Sequence, residues 1–186
     1  MIHYFLKTTH FIPDYHVDTI YDLDFDAIKK QGITVLLFDI DNTIIPYDKH
    51  LPDDAIIAFF DDIKKKGFET VLISNNHKPR IKRFGEALGL PYVYSAKKPL
   101  RSGFKKALKK LAFTPDKQSV MVVGDQLMTD VFGARRSGLN AALVKPLKKK
   151  TEKWYTKLNR IIEHKMLKKI ARHDPEAFNS LKLDKR

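Results

Sequence analysis

The chain has 186 residues and a formal net charge of +13, with 35 Lys and Arg, 22 Asp and Glu, and no cysteine. Its 43% apolar content excludes a disordered chain, and the lack of cysteine excludes disulfides, thiolate metal sites and cysteine nucleophiles. No apolar run approaches the roughly 18 residues that span a bilayer, and residues 1–14 lack signal-peptide features, so we expect a cytoplasmic protein. The positive surplus favours a polyanionic partner: nucleic acid, an anionic membrane or a phosphorylated substrate.

Short apolar runs predict five β-strands that alternate with helices. They place the strands at residues 33–38, 69–73, 92–94, 119–123 and 140–144. The helical spacing of apolar residues predicts the intervening helices at residues 52–67, 79–88, 100–111 and 127–137. This alternation indicates an α/β fold with a five-stranded parallel sheet and helices on both faces. In such sheets, ligands bind at the carboxyl ends of the strands.

Positive charge is concentrated in the last part of the chain. Residues 145–186 contain 14 Lys and Arg against 5 Asp and Glu, a net charge of +9, which leaves +4 for residues 1–144. After Pro146, a basic helix is expected over residues 151–172, with Trp154 and Tyr155 near its start. We therefore expect a single domain over residues 1–186, with a core at about 10–150 and a basic helical extension at about 151–186. A second basic patch comprises Lys97, Lys98, Arg101, Lys105, Lys106, Lys109 and Lys110.

Polar side chains follow several of the predicted strands. Asp39 and Asp41 come after the first strand, where a spacing of two residues lets both carboxylates point into one crevice while Ile40 points away. The candidates at the later strand ends and in the loops after them are Ser74, Lys98, Asp125 and Asp130. Because parallel strands end at a common edge of the sheet, we expect carboxylates, a hydroxyl and an ammonium to meet there.

A cluster of carboxylates repels itself and requires a cation. Oxygen ligands without histidine or cysteine favour a hard ion, above all Mg²⁺, which also binds substrate phosphate. One aspartate can attack phosphorus to form an aspartyl-phosphate, and a second can act as general acid and then as base. Lys98 and Ser74 suit the phosphoryl oxygens, whose charge is redistributed during transfer. The residue types therefore point to phosphoryl transfer.

Taken together, four motifs resemble the signature of the haloacid dehalogenase (HAD) superfamily of aspartate-nucleophile phosphatases. They are Asp39-x-Asp41-x-Thr43, Ser74, Lys98 and Gly124-Asp125-x₄-Asp130, and they occur in this order. The DIDNT, SNN, KKP and GDQLMTD stretches more closely resemble the YqeG-like phosphatases of subclass IIIA, which are related to phosphatidylglycerophosphate phosphatases. The resemblance covers about residues 10–150, and the basic C-terminal extension also fits the YqeG-like group.

The resemblance implies a HAD-like Rossmannoid fold and specific roles for the acidic residues. Asp39 would be the nucleophile and Asp41 the general acid and base. Asp39, the backbone carbonyl of Asp41 and Asp125 would bind Mg²⁺, and Asp130 would support the site through water or Lys98.

The resemblance also implies a set of phosphoryl-binding residues. Lys98 is preferred to Lys97 because it precedes Pro99, as in the subclass pattern. Thr43 can alternatively hydrogen-bond within its own loop, and Asn75 can simply form a turn. The implied residues are Thr43, Ser74, Asn75 and Lys98.

The spacing of the motifs predicts a site without a cap domain. Only about thirty residues separate Asp41 from Ser74, and a helix takes up most of them. The interval from Ser74 to Lys98 holds one helix and one strand. We therefore expect an open site, which suits a bulky or surface-held phosphorylated substrate better than a small sequestered metabolite.

The leading hypothesis is a Mg²⁺-dependent phosphomonoester phosphatase that works through an aspartyl-phosphate, with phosphatidylglycerophosphate implied as one substrate by the relatives. The alternative is a basic RNA- or ribosome-associated protein whose phosphatase site is vestigial or secondary. A receiver domain is disfavoured because the second acid lies two residues after the first, where a hydrolase needs its general acid. The basic extension can pack on the domain with solvated lysines, lie on the inner face of an anionic membrane, or bind nucleic acid.

Overall fold

The computed structural model describes residues 7–148 and 154–185, and the side chains of the second range from residue 159 onward. The first three residues of the predicted basic helix and the side chains of Trp154 and Tyr155 lie outside this described part. None of the helices in the described ranges combines the length and the apolar character that a transmembrane segment needs.

The centre of the fold is a parallel sheet of six strands, one more than predicted. The strands are β1 (Tyr15–Val17), β2 (Val35–Phe38), β3 (Glu69–Ile73), β4 (Tyr92–Val93), β5 (Val120–Gly124) and β6 (Asn140–Val144), in the spatial order β1-β6-β5-β2-β3-β4. The additional strand is β1, which pairs with β6 at one edge. Its three residues are only half-buried, so it lacks the apolar run by which the buried strands were predicted.

Seven α-helices surround the sheet. They are α1 (Phe25–Lys30), α2 (Asp54–Lys65), α3 (Lys78–Ala87), α4 (Arg101–Leu108), α5 (Phe132–Arg135), α6 (Trp154–His173) and α7 (Pro175–Ser180) within the described residues. Asp53 caps α2, as its side chain accepts a hydrogen bond from the Ile56 amide. The predicted helix at 127–137 is instead a π-helical turn, Leu127–Val131, followed by α5. Such turns recur at functional sites.

Side chains of β2 alternate between two apolar layers, one on each face of the sheet. Val35 and Leu37 pack with the layer formed by α4, α5 and α6, whereas Leu36 and Phe38 pack with the layer formed by α1, α2 and α3. The helices on both faces therefore agree with the prediction. Of the alternatives for the basic extension, packing on the domain is what the described residues show, because Met166 of α6 is fully buried in the first layer.

The two intervals between the motifs contain no inserted domain. Among the described residues, those from 42 to 73 form α2 and β3 as their only helix and strand, and those from 75 to 97 form α3 and β4. All of them are within the continuous described range 7–148. The acidic strand ends are therefore not covered by a separate domain from either interval.

Candidate active site

The sheet order brings the predicted site residues together at one edge. β2 is in the middle, paired with β5 on one side and β3 on the other. Asp39 and Asp125 directly follow β2 and β5, and Ser74 directly follows β3. The Asp39 amide donates to the Val123 carbonyl over 2.9 Å, so this register continues to the strand end. Three of the four motifs therefore meet without any long loop.

Three buried carboxylates form the centre of the site. Asp39, Asp125 and Asp130 each offer an oxygen, and these oxygens all lie within 4.8 Å of one another. Each of the three residues is at most 4% exposed. Negative charges at this spacing in a buried site repel strongly unless a cation lies between or beside them. The all-oxygen donor set fits a hard divalent cation such as Mg²⁺.

The ammonium of Lys98 lies against this cluster. Its Nζ donates to Asp39 Oδ1 over 2.8 Å, to Asp130 Oδ1 over 2.6 Å and to the Ile73 carbonyl over 3.1 Å. Burial lowers the pKa of Lys98, but the charges of Asp130 and Asp39 outweigh it and raise the pKa above its ordinary value. Lys97, the alternative lysine, has an exposed side chain. The structure thus places Lys98 in the site and Lys97 outside it.

Asp39 combines burial with three acidic neighbours. Burial raises the pKa of its carboxyl well above the ordinary value, the Lys98 charge opposes this rise, and Asp130, Asp125 and Asp41 add to it. A bound divalent cation would favour the ionised carboxylate, because its charge offsets that of the neighbours. The electrostatics of the site therefore provide a physical reason for a metal.

The carboxylate of Asp41 points to a different set of partners. Its Oδ2 accepts hydrogen bonds from Ser74 Oγ and from Asn76 Nδ2, each over 3.2 Å. Its Oδ1 pairs with Arg80 Nε at 2.8 Å. The side chain is thus hydrogen-bonded to residues outside the cluster of three carboxylates. That a metal would meet only the Asp41 backbone carbonyl stays a prediction. Neither Asn76 nor Arg80 is among the predicted site residues.

Asn75 and Thr43 have contacts that differ from simple phosphate binding. The Asn75 side chain accepts from the Lys98 amide over 2.7 Å and donates to the Lys98 carbonyl over 3.0 Å. It therefore holds the backbone of the lysine loop. Thr43 Oγ1 is 3.4 Å from both Asp39 Oδ2 and Asp125 Oδ1, so it lies within the carboxylate cluster. Their predicted roles toward phosphate remain predictions.

Asp130 is held by the π-helical turn that contains it. Its Oδ2 accepts from the Gln126 amide over 3.1 Å and from Thr129 Oγ1 over 3.2 Å. Gly124 allows the close approach of this turn to β5, because a Cβ at Gly124 would lie 2.3 Å from Asp130 Cγ. A side chain larger than that of glycine would therefore clash at position 124 of the fourth motif.

Helix α6 contributes two further residues to the site. The guanidinium of Arg160 pairs with Asp125 Oδ2 and donates to the Asp125 carbonyl over 2.8 Å, and it also contacts Glu163 Oε2 at 3.1 Å. Asn159 donates to Gln126 Oε1 over 3.2 Å. Asn159 lines a cavity of about 40 Å³ at the strand ends, together with five of the predicted residues: Asp39, Asp41, Ser74, Asn75 and Lys98. The basic extension therefore forms one wall of the site.

Neither Arg160 nor Asn159 is among the predicted site residues. One signal is visible in the sequence, because the polar residues Asn159 and Glu163 lie in line, at helical spacing, with the apolar residues Met166 and Ile170. Such a polar stripe does not indicate its partner, which only the packing of α6 beside the strand ends provides.

Replacement of Arg160 by glutamine is expected to lower phosphate release by about 10–100-fold and to raise the Mg²⁺ concentration needed for half-maximal rate. The reason is that Arg160 fixes both the side chain and the backbone of Asp125. Titration of activity with Mg²⁺ measures both effects. Arg172→Gln, at an exposed position of the same helix, is the control and should change neither. A lower Mg²⁺ requirement in Arg160→Gln would contradict a positioning role and show competition with the metal instead.

The chain is similar in sequence to one protein family and to one curated protein. A model of the family "Hydrolase: haloacid dehalogenase-like hydrolase" matches residues 5–138. The chain is 32% identical over 162 residues to "Probable phosphatase YqeG" of Bacillus subtilis (strain 168), with 87% of this chain and 92% of that protein covered.

Solved structures similar to the chain include two bacterial proteins. An uncharacterized protein from Listeria monocytogenes serotype 4b has 18% identity and a TM-score of 0.49, with 63% of this chain and 84% of that chain covered. A HAD superfamily (subfamily III A) hydrolase from Legionella pneumophila has 18% identity and a TM-score of 0.46, with 66% of this chain and 71% of that chain covered.

The family model and the curated relative confirm the resemblance that the four motifs indicate. The model spans all four motifs, from Asp39 to Asp130, and the curated relative also extends over most of the chain. On this evidence the chain belongs to the haloacid dehalogenase-like hydrolases.

Proposed function

We propose that this hydrolase is a Mg²⁺-dependent phosphomonoester phosphatase that works through a phosphorylated Asp39. The observation that carries the proposal is the buried cluster of Asp39, Asp125 and Asp130 with Lys98 against it. The name of the curated relative, a phosphatase, supports the reaction class. The cluster provides a nucleophile, a cation site and a fixed positive charge within one small volume.

Asp39 and Asp41 have different roles in the proposed reaction. A carboxylate oxygen of Asp39 forms a bond to phosphorus as the ester P–O bond breaks, and Asp41 gives its proton to the leaving oxygen. A water then attacks the phosphorus of the aspartyl-phosphate while Asp41 takes the water's proton. Phosphate leaves and the Asp39 carboxylate is restored. The contacts of Asp41 with Ser74 and Asn76 hold its carboxyl at the same cavity that Asp39 lines.

The remaining residues hold the metal and the phosphoryl group. Asp39, Asp125 and the backbone carbonyl of Asp41 would hold Mg²⁺, which would supply positive charge next to the nucleophile and the phosphoryl group. Lys98 and Ser74 would bind phosphoryl oxygens, and Thr43 lies close enough to take part. We assign Asn75 to the lysine loop that its side chain holds. Asp130 anchors Lys98.

We further propose that the substrate is bulky or surface-held. The two described intervals contain no inserted domain that would enclose such a molecule, and a phosphorylated lipid such as phosphatidylglycerophosphate is the class that the family resemblance implies. Action at the cytoplasmic face of a membrane is the corresponding location. The basic surface of the chain supports attraction to anionic lipid.

The test is phosphate release by the full chain from p-nitrophenyl phosphate after removal of metal with a chelator. We expect no release without metal, recovery with Mg²⁺, and poor recovery with Ca²⁺, since the larger ion prefers more ligands and longer bonds. A panel of lipid phosphates, sugar phosphates and nucleotides then ranks the substrates. Equal release with and without metal would contradict the proposal, and a preference for sugar phosphates would contradict the lipid class.

A further inference from the structure

A wide cleft lies beside the candidate active site. It has a volume of about 830 Å³ and runs along β4, the edge strand of the sheet. Because the sheet ends at β4, the space between α3 on one face and α4 on the other remains open. The walls and floor comprise Lys78, Pro91, Tyr92, Val93, Tyr94, Ser95, Lys97, Lys106, Lys109 and Lys110.

The cleft is lined by five lysines and by no acidic residue. The lysines come from three places: the start of α3, the loop after β4 and the end of α4. No ion pair joins any of the five to a carboxylate in residues 7–148 and 159–185. By contrast, Lys66, Lys145 and Lys148 each pair with an aspartate. Uncompensated charges around a concave surface produce a strong local positive potential.

Two tyrosines line this basic cleft. Tyr92 is fixed, because its ring packs against α3 where a Cβ at Gly85 would come within 2.4 Å. Tyr94 is 40% exposed, and Lys78 Nζ lies 5.8 Å from its ring centroid. An exposed aromatic ring among lysines is the combination with which proteins bind single-stranded nucleic acid, since the lysines contact phosphates and the ring stacks on a base.

The residues of the predicted second basic patch lie in three different places in the structure, and four of them line the cleft. Lys98 enters the active site, whereas Arg101 and Lys105 lie on another side of α4, in a separate pocket. Lys97, Lys106, Lys109 and Lys110 line the cleft. A recessed floor with charges on both walls suits a flexible strand that can enter it better than a flat bilayer surface.

We propose that this cleft binds a segment of single-stranded nucleic acid. The phosphates lie along Lys78, Lys106, Lys109 and Lys110, and one base stacks on Tyr94. Binding needs neither the carboxylate cluster nor a terminal phosphate, so it is a function separate from hydrolysis. The basic surface of the catalytic domain would thus bind a partner, nucleic acid, that differs from the phosphatase substrate.

The experiment measures fluorescence anisotropy of a labelled 12-nucleotide single-stranded RNA with hydroxyl ends, using the full chain. We expect Lys106→Gln/Lys109→Gln/Lys110→Gln to bind about 10–100-fold more weakly at 0.1 M salt, and the slope of log affinity against log salt to fall by about 2. Tyr94→Ala should lose about ten-fold with the slope unchanged.

The matched control removes three exposed lysines elsewhere, as Lys30→Gln/Lys64→Gln/Lys65→Gln. It has the same net charge as the cleft variant and should bind RNA like the parent. All of these variants should hydrolyse p-nitrophenyl phosphate within two-fold of the parent, which shows an intact fold. If the cleft variant and the control lose the same affinity, or neither loses any, the proposal is wrong.

Two further ligands separate the proposal from its alternatives. Single-stranded DNA of the same sequence should bind similarly, whereas a duplex of the same length should bind at least ten-fold more weakly. Equal duplex binding that is indifferent to Tyr94→Ala would overturn the single-stranded assignment. Anionic phosphatidylglycerol vesicles should bind the cleft variant and the control alike. Loss of vesicle binding only in the cleft variant, with RNA binding kept, would show a membrane surface instead.

Discussion

Asp39→Asn is expected to lower the rate of phosphate release from p-nitrophenyl phosphate by roughly 10⁴-fold or more, as loss of a covalent nucleophile does in other hydrolases. An amide cannot form the bond to phosphorus that the proposed mechanism requires. The loss should not come from unfolding, because asparagine has nearly the same shape. Burial already raises the pKa of the Asp39 carboxyl, so its ionised form is costly in the fold. Lys98 keeps Asp130 as a partner when Asp39 is replaced. Without metal, Asp39→Asn should therefore unfold at or above the temperature at which the parent unfolds.

The aspartyl-phosphate can be detected directly if the enzyme is mixed with a substrate labelled in its phosphoryl group and the reaction is rapidly quenched with acid. The parent should show a labelled protein, and Asp39→Asn should show none. Asp41→Asn should still become labelled with an aryl phosphate, whose leaving group needs little protonation, but should turn over slowly because water lacks its base. Asp61→Asn, at an exposed position of α2, is the surface control and should behave like the parent. Turnover that survives in Asp39→Asn would contradict the mechanism.

The strands of this fold could be predicted because burial on both faces leaves a clear trace in the sequence. β2 is apolar at every position and fully buried, and the runs for β3, β5 and β6 agree with the structure to within a residue. β1 has no such trace, since it is short, half-buried and at an edge. Its pairing with β6 depends on contacts between distant parts of the chain, which local patterns do not contain.

The same distinction applies to the candidate site. Asp39, Ser74 and Asp125 could be predicted because each directly follows a buried strand, and the parallel sheet brings those ends together. Arg80 and Arg160 come from helices whose docking decides what they touch. Arg80 meets Asp41 from the first turn of α3, and Arg160 meets Asp125 from the basic extension. No local sequence motif predicts either of these two contacts.

Lys98 and Lys97 differ by one position, and the structure gives them opposite environments. Lys98 Nζ contacts two carboxylates and a carbonyl in the buried cluster, whereas Lys97 is exposed. Lys98→Met should therefore lower phosphate release by about 10²–10³-fold or more, since it removes a fixed charge from the phosphoryl group. It should also lower the metal-free free energy of unfolding by about 3–5 kcal/mol, because Asp39 and Asp130 lose their buried partner.

Lys97→Met is the matched control, because it removes the same charge from the neighbouring position. It should change activity by less than two-fold and the free energy of unfolding by less than about 0.5 kcal/mol. Chemical denaturation with and without Mg²⁺ adds a second test. Since a divalent cation neutralises the same carboxylates as Lys98, saturating Mg²⁺ should stabilise Lys98→Met more than the parent. If Lys97→Met loses activity while Lys98→Met keeps it, the electrostatic role of Lys98 is wrong. If both variants are equally stable without metal, the Lys98 ammonium does not stabilise the fold and that part of the prediction is wrong.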